Sequence, residues 1–443
     1  MSPAATIFAL SSGRGRAGVA VLRISGPGAG AVFARMAPPL PKPRFGAFRR
    51  IRHPASGEVL DEALALWLPG PKSETGEDMA ELHIHGGGAV VRAVLAALAT
   101  LDGFRMAEPG EFARRAFENG KIDLTGAEGL ADLVDAETEA QRRQALRQAG
   151  GALAALYDGW RERLLHALAL MESVLDFADE PEVGERPLRE ARALVAALAP
   201  ELSAHLADGR RGEIVRDGFQ VVIAGPPNAG KSSLLNALLK RQAAIVSEEA
   251  GTTRDVIEAT LELGGLPVVL SDTAGIRDAA STVEQEGVRR AMDRARHADL
   301  VLWVTDAADP ASAGRHPEVP GRDCLRVLNK ADLFSSAPPA GGDAVVVSAR
   351  TGQGLPGLLA GIEARALARI GETETPAITQ ARHREQIAAC SAALEAYLAG
   401  NPGDVELRAE DLRRAASALG RLTGRVDVED ILDRIFSRFC IGK

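Results

Sequence analysis

Apolar residues change their spacing several times along this chain, and each change predicts a different kind of structure. Over residues 1–120 they come in short runs broken by Gly and Pro. Residues 19–24, 63–68 and 81–84 read as strands, and residues 90–99 and 112–118 as helices, the mixture of an α+β domain. From residue 126 to 178 the texture turns to Ala, Leu, Arg and Glu at helical spacing. Leu153, Leu156, Trp160, Leu164, Leu168, Met171 and Leu175 recur every three to four residues and form one helix face. A second helical run covers residues 187–216. Residues 218–370 alternate apolar strands with helices, as a parallel sheet requires. Helical texture returns after Pro376. The predicted fold class is multidomain α+β and α/β. An N-terminal α+β domain spans 1–120, an all-α domain takes 121–216 and 374–443, and an α/β domain over 217–373 is inserted into it.

Bulk properties narrow the classes. A chain of 443 residues exceeds a single core and splits into two to four domains. Its longest apolar stretches, such as 94–101, fall well short of a membrane span. The apolar stretch 4–10 has its basic residues after it, the wrong order for a secretory signal. Cys324, Cys390 and Cys440 lie far apart and are odd in number, which speaks against a disulfide framework or a structural zinc and for a reducing, cytoplasmic setting. A formal charge of −8 and no obvious basic stripe argue against a protein that grips nucleic acid alone.

The chemistry is concentrated in the α/β segment. An apolar strand over Phe219–Ala224 runs into Gly225-Pro-Pro-Asn-Ala-Gly-Lys231-Ser232, and a helix follows. Glycines let backbone N–H groups curl around phosphates, and the helix N-terminus adds its positive dipole end. Lys231 is expected on the β- and γ-phosphates and Ser232 on Mg²⁺. Thr253, in Gly251-Thr-Thr-Arg-Asp255, is placed to complete the Mg²⁺ shell. Asp272 ends a strand and starts Asp272-Thr-Ala-Gly275, where the carboxylate can hold Mg²⁺ through water and the Gly275 N–H can sense the γ-phosphate. Two further strands end in Asn329-Lys-Ala-Asp332 and in Ser348-Ala-Arg350. A carboxylate at Asp332 can accept both N1–H and the N2 amino group of guanine, donors that adenine lacks. A phosphate loop alone says nucleotide; the five segments in this order say GTP.

Some positions leave alternatives open. Ras-like proteins follow DxxG with a water-orienting Gln, but Ile276 stands here and cannot hydrogen-bond. Glu284 is the best local carboxylate for that task, or else a solvated glutamate at a helix start. The Asn228 oxygen could help bind a monovalent cation, or Asn228 could simply favour a turn. Cys440 could be a small core residue or a nucleophile, and Lys443 an ordinary solvated residue. His83 and His85, two apart on a strand, face the same way without further metal ligands.

Taken together, the sequence resembles the MnmE (TrmE) family of bacterial tRNA-modification GTPases over essentially its whole length. The resemblance is carried by the blocks around Arg23, from Thr75 to Gly87, from Pro109 to Phe117 and from Gly120 to Thr125, by the inserted G domain, and by the terminal Phe-Cys-Ile-Gly-Lys. It implies an N-terminal folate-binding domain that forms a homodimer. Arg23, Glu81, Lys121 and Lys443 would contact a 5-formyl- or 5,10-methylene-tetrahydrofolate. It implies GTP contacts from Asn228, Ala229, Gly230, Lys231, Ser232 and Ser233, from Ser247, Thr252 and Thr253, and from Asp272, Thr273, Ala274 and Gly275. The base would meet Asn329, Lys330 and Asp332, with Ser348, Ala349 and Arg350. It implies Mg²⁺ on Ser232 and Thr253, and K⁺ held by Asn228 with loop groups of Ser247, Glu249 and Thr252; Ser247 stands where the family usually has Thr. Glu284 and Lys231 would be catalytic, and Cys440 matches the family's functionally important tail cysteine. The implied reaction adds an aminomethyl or carboxymethylaminomethyl group at C5 of the wobble uridine of certain tRNAs. Its redox chemistry comes from the FAD- and NADH-using partner MnmG (GidA), which also holds most of the tRNA. Rival readings are a ribosome-assembly or RNA-binding GTPase switch and a folate enzyme acting alone on a small molecule. The first is weakened because the only later Gly-x-x-Gly, at 400–403, contains Pro402 and no basic residue.

Overall fold

The computed structural model describes residues 5–13, 15–176, 185–208, 210–241, 258–272, 298–308, 323–333, 344–371, 375–426, 429–437 and 439–442, with backbone alone at 258, 272, 429–431 and 434. The chain divides into two compact units. One comprises residues 1–131, 148–162 and 416–443, and the other residues 132–147 and 163–415.

The first unit is built on a six-stranded sheet. In chain order its elements are β1 (Thr6–Leu10), β2 (Ala17–Ser25), α1 (Ala31–Met36), β3 (Ala47–Arg52), β4 (Val59–Leu68), β5 (Met79–Gly86), α2 (Gly88–Ala99), β6 (Phe104–Met106), α3 (Glu111–Glu118) and α4 (Leu124–Asp135). The strand order is β3-β4-β5-β2-β1-β6, antiparallel except for β1 against β6. Alternation puts Leu22, Ile24, Ala63, Ala65, Trp67, Leu82 and Ile84 on the face that packs against Phe33, Val94 and Leu98 of α1 and α2. Arg23 and Glu81 are direct cross-strand partners, with side chains only partly buried. The strands predicted at 19–24, 63–68 and 81–84 sit inside β2, β4 and β5, and the helices at 90–99 and 112–118 inside α2 and α3. The edge strands β3 and β6 escape a pattern search: β3 reads Ala-Phe-Arg-Arg-Ile-Arg, and β6 has three residues.

The following helices are α5 (Glu139–Ala149), α6 (Ala152–Asp176), α7 (Glu185–Leu206) and α8 (Arg211–Asp217). In the predicted stripe of α6, Leu153, Trp160, Leu164, Leu168 and Met171 are buried. In the second unit β7 (Phe219–Ala224), α9 (Lys231–Arg241), β8 (Glu258–Leu263), β9 (Leu266–Asp272), β10 (Leu300–Asp306), β11 (Asp323–Asn329), β12 (Val345–Val346) and α10 (Leu355–Ile370) form the nucleotide sheet and its flanking helices. The strand order is β12-β11-β10-β7-β9-β8, with only the edge strand β8 antiparallel among these described strands. From β7 the chain builds outward to β9 on one side and β10 on the other, so the order reverses beside β7. A ligand crevice is expected outside the carboxyl ends of the strands at such a reversal. Leu234, Leu238, Leu270, Val304, Val327 and Ile362 share one core there. Helix α7 packs on α11 (Ala381–Ala399), so the segments on either side of the sheet domain come together. Helices α12 (Val405–Thr423) and α13 (Glu429–Phe436) close the chain.

Candidate functional site

The register of the sheet sets the site. Ile223 pairs with Asp272, and Asp306 with Asn329, so the predicted motif residues gather at one end of the strands. The phosphate loop leaves β7 through Gly225 and returns as α9, which begins at Lys231. Within it Asn228 adopts a left-handed backbone (φ 62), a conformation Asn tolerates better than most residues. Lys231 Nζ lies 3.0 Å from the carbonyl oxygens of both Gly225 and Pro226, which keeps the ammonium over the loop.

Asn329 joins this loop to the base-reading end. It is buried, its Nδ2 donates to the Ala229 carbonyl at 3.0 Å, and its Oδ1 accepts from the Ala349 N–H at 3.0 Å. A β-carbon on Gly230, whose φ is 87, would collide with Asn329 Nδ2, so only glycine permits the bridge. Asp332 follows on a 3-10 turn, Ala331–Leu333. Its Oδ1 accepts from Ser348 Oγ at 2.5 Å, and its Oδ2 pairs with Arg350 at 2.7 Å. The Ser348 hydroxyl above all, with Arg350, holds this carboxyl below its ordinary range, so it stays a pure acceptor. Lys330 turns the other way and pairs with Asp306 at 2.7 Å. Burial would raise the Asp306 carboxyl, but the Lys330 bond and charge together with the Ala308 N–H outweigh it and leave the group more acidic than usual. Asp306 and the Ser348–Asp332 bond carry no motif of their own, and the sequence reading missed both.

Of the other predicted nucleotide residues, Ser232 and Ser233 open α9, and the backbone of Asp272 ends β9. Ser247, Glu249, Thr252, Thr253, Thr273, Ala274, Gly275 and Glu284 lie outside the described residues, as does Lys443.

A second cluster lies in the first unit. Arg23 Nε donates to Glu81 at 3.2 Å, Nη1 pairs with Glu74 at 2.7 Å, and the guanidinium sits 5.9 Å from the Phe112 ring centre. His83 Nε2 is 3.2 Å from Glu81, while His85 is taken by Asp61 at 2.7 Å. Lys121 is exposed, and its Cε lies 3.4 Å from where a β-carbon on Gly76 would stand. The chain's last described residues dock within the same unit. Ser11 Oγ donates to the Gly442 carbonyl at 2.8 Å, and Ile441 bridges Pro109. Gly442 has φ 104, and any β-carbon there would strike the Leu10 carbonyl. Phe436 and Phe439 are buried against Ala113, Leu124 and Ala127, with rings 5.6 Å apart. Cys440 between them and the clamp is exposed, so it is not a core residue. Cys390 is one, and burial pushes its thiol up to about 12.

A parallel sheet whose phosphate loop is bonded through one asparagine to a carboxylate shaped for a base is the architecture of a P-loop GTPase. Comparison with known proteins carries this further. The family profile "MnmE helical domain" matches residues 124–440, and "GTP-binding protein TrmE N-terminus" matches residues 6–121. The protein named tRNA modification GTPase MnmE from Parvibaculum lavamentivorans is 56% identical over 99% of this chain and 100% of its own. Those of the same name from Methylorubrum populi and Paramagnetospirillum magneticum are 54% and 53% identical, over 99% of this chain and 98% and 99% of theirs. The chain belongs to the MnmE family. Among solved structures, the G domain of the T. maritima FeoB iron transporter is 26% identical over 33% of this chain and 98% of that one, with a TM-score of 0.27.

Proposed function

We propose that this protein is a K⁺-stimulated GTPase that acts in tRNA modification. With an FAD-dependent, NADH-using MnmG-type partner it adds an aminomethyl or carboxymethylaminomethyl group at C5 of the wobble uridine, using a tetrahydrofolate one-carbon unit. The bridge from Asn329 to Ala229 and Ala349 carries the GTP reading, because it makes one unit of the phosphate loop and the Asp332 carboxylate. In this reading residues 1–120 bind folate and dimerise, 217–373 form the G domain, and 121–216 with 374–443 form the helical domain around it.

Asp332 accepts from guanine, Ala349 and Asn329 hold the loop around the base, and Lys231 meets the phosphates. Ser232 and Thr253 would hold Mg²⁺, with Asp272 reaching it through water; Mg²⁺ neutralises charge on the phosphate oxygens. Asn228 with Ser247, Glu249 and Thr252 would hold K⁺, which supplies the positive charge that an arginine finger supplies elsewhere. Ile276 cannot orient water, and Glu284 takes that role when two G domains meet. In the folate site Arg23 is already committed to Glu74 and Glu81. The cluster therefore fits the ring of a folate through the Glu81 acceptor, and leaves exposed Lys121, with Lys443, for the anionic tail. Folate contributes the one-carbon unit; the docked segment 439–442 carries the exposed Cys440.

Nucleoside analysis of tRNA from a deletion strain tests the reading. Loss confined to the C5 group of wobble uridine is the expected result, and intact modification with a ribosome-assembly defect is the result that overturns it. At matched ionic strength, K⁺ should raise GTP turnover by about tenfold or more over Na⁺. Equal rates in both salts would remove the cation from the mechanism.

A further inference from the structure

Helix α8 is the last element before the strand that carries the phosphate loop, and it is held on two sides by different forces. Ile214 and Val215 are buried in the core of the nucleotide sheet. Glu213 accepts from Arg384 of α11 at 2.9 Å, and a further set of polar contacts goes to helices α4 and α5. Arg216 Nε donates to Asp132 Oδ1 of α4 at 2.8 Å, with both side chains largely covered. Gln141 Nε2 donates to the Arg216 carbonyl at 3.0 Å, and Gln144 Nε2 to the Gly212 carbonyl at 2.8 Å. The first turn of α5 also reaches the sheet, where the Ala140 N–H donates to Gly265 in the β8–β9 turn. Between these elements lies a cavity of about 100 Å³, lined by Asp132, Asp135, Gln141, Gln144 and Arg216 among others.

The two sides respond differently to movement. An apolar core at native density resists sliding, so α8 follows β7 as a rigid extension of it. A polar, roomy contact can exchange partners by small shifts without opening an apolar void. A displacement of β7 is therefore taken up at the polar contacts of α8, the Arg216–Asp132 pair among them, and not within the sheet. Arg216 is suited to this, since its guanidinium and its carbonyl engage α4 and α5 at once.

We propose that Arg216 and Asp132 are positioning residues that couple the nucleotide state at the phosphate loop to α4 and α5. The signal path is Gly225–Ser232, β7, α8, and then the two helices. This rests on the proposed GTP cycle and not on the tRNA chemistry.

Hydrogen exchange of residues 139–149 in the full chain, loaded with GDP or with a non-hydrolysable GTP analogue, tests it. In the native protein the two states should differ by about fivefold or more in exchange rate. Arg216→Ala and the isosteric Asp132→Asn should abolish that difference while nucleotide affinity stays within about twofold. The exchanged pair, Arg216→Asp with Asp132→Arg, should restore it. A native protein that binds both nucleotides with no difference in α5 overturns the coupling, as does a difference that survives in Asp132→Asn. Failure of the native protein to bind GTP would instead overturn the proposed function.

Discussion

At the scale of single residues, the GTP site depends on atoms held in place by neighbours that no motif names. Asp332 is recognisable from Asn-Lys-Ala-Asp, yet its acidity depends first on Ser348 and then on Arg350. Asp332→Asn turns one acceptor oxygen into a donor facing the guanine amino group. GTP affinity should fall by about 100-fold, read by calorimetric titration, with little change in thermal midpoint. Because the folded carboxyl lies below its ordinary value, its acceptor role is complete above pH ~4 and is lost only as pH falls below that. GTP affinity should therefore be flat from pH 8 to ~5 as far as this group is concerned.

At the scale of elements, the tail clamp matters most. Gly442 lies against Leu10, and Ser11 holds its carbonyl, so the clamp sets where Cys440 stands. Gly442→Ala should lower tRNA modification by about tenfold or more while GTP turnover stays within about twofold, measured on the same preparation. Parallel loss of both activities would show that the clamp only stabilises the fold. The elements themselves were largely legible in the sequence. β7 runs over Phe219–Ala224, the same residues that the apolar run marked, and α2, α3 and the α6 stripe follow their periodicities. β3 and β6 were not legible, because an edge strand needs few apolar residues and β3 spends four of its six positions on Phe and Arg outside the core pattern. The Arg216–Asp132 contact was also hidden: its partners are 84 residues apart, and neither belongs to a periodic face.

At the scale of the whole molecule, one half-buried histidine ties stability to pH. His205 lies where α7 turns toward the sheet domain. Burial, reinforced by the charges of Arg384, His383 and Arg211 against the pull of Asp208, lowers it to about 4. Its folded value is below its unfolded one, so the unfolded chain takes up this proton first. The native state thus loses stability as pH falls from ~6.5 to about 4, and gains nothing from this group above that window. His205→Gln should flatten the decline of the thermal midpoint across that range in calorimetry. An unchanged slope would assign the decline to the carboxylates instead.

The bond between Ser11 and Gly442 spans 431 positions of sequence. During translation β1 leaves the ribosome early, and the sheet around it can form while most of the chain is still unmade. Leu10 and Ser11 nevertheless gain their contacts with Gly442 only once residues 439–442 emerge. A nascent chain can thus hold a folded nucleotide sheet before its first strand gains the contacts of its last residues.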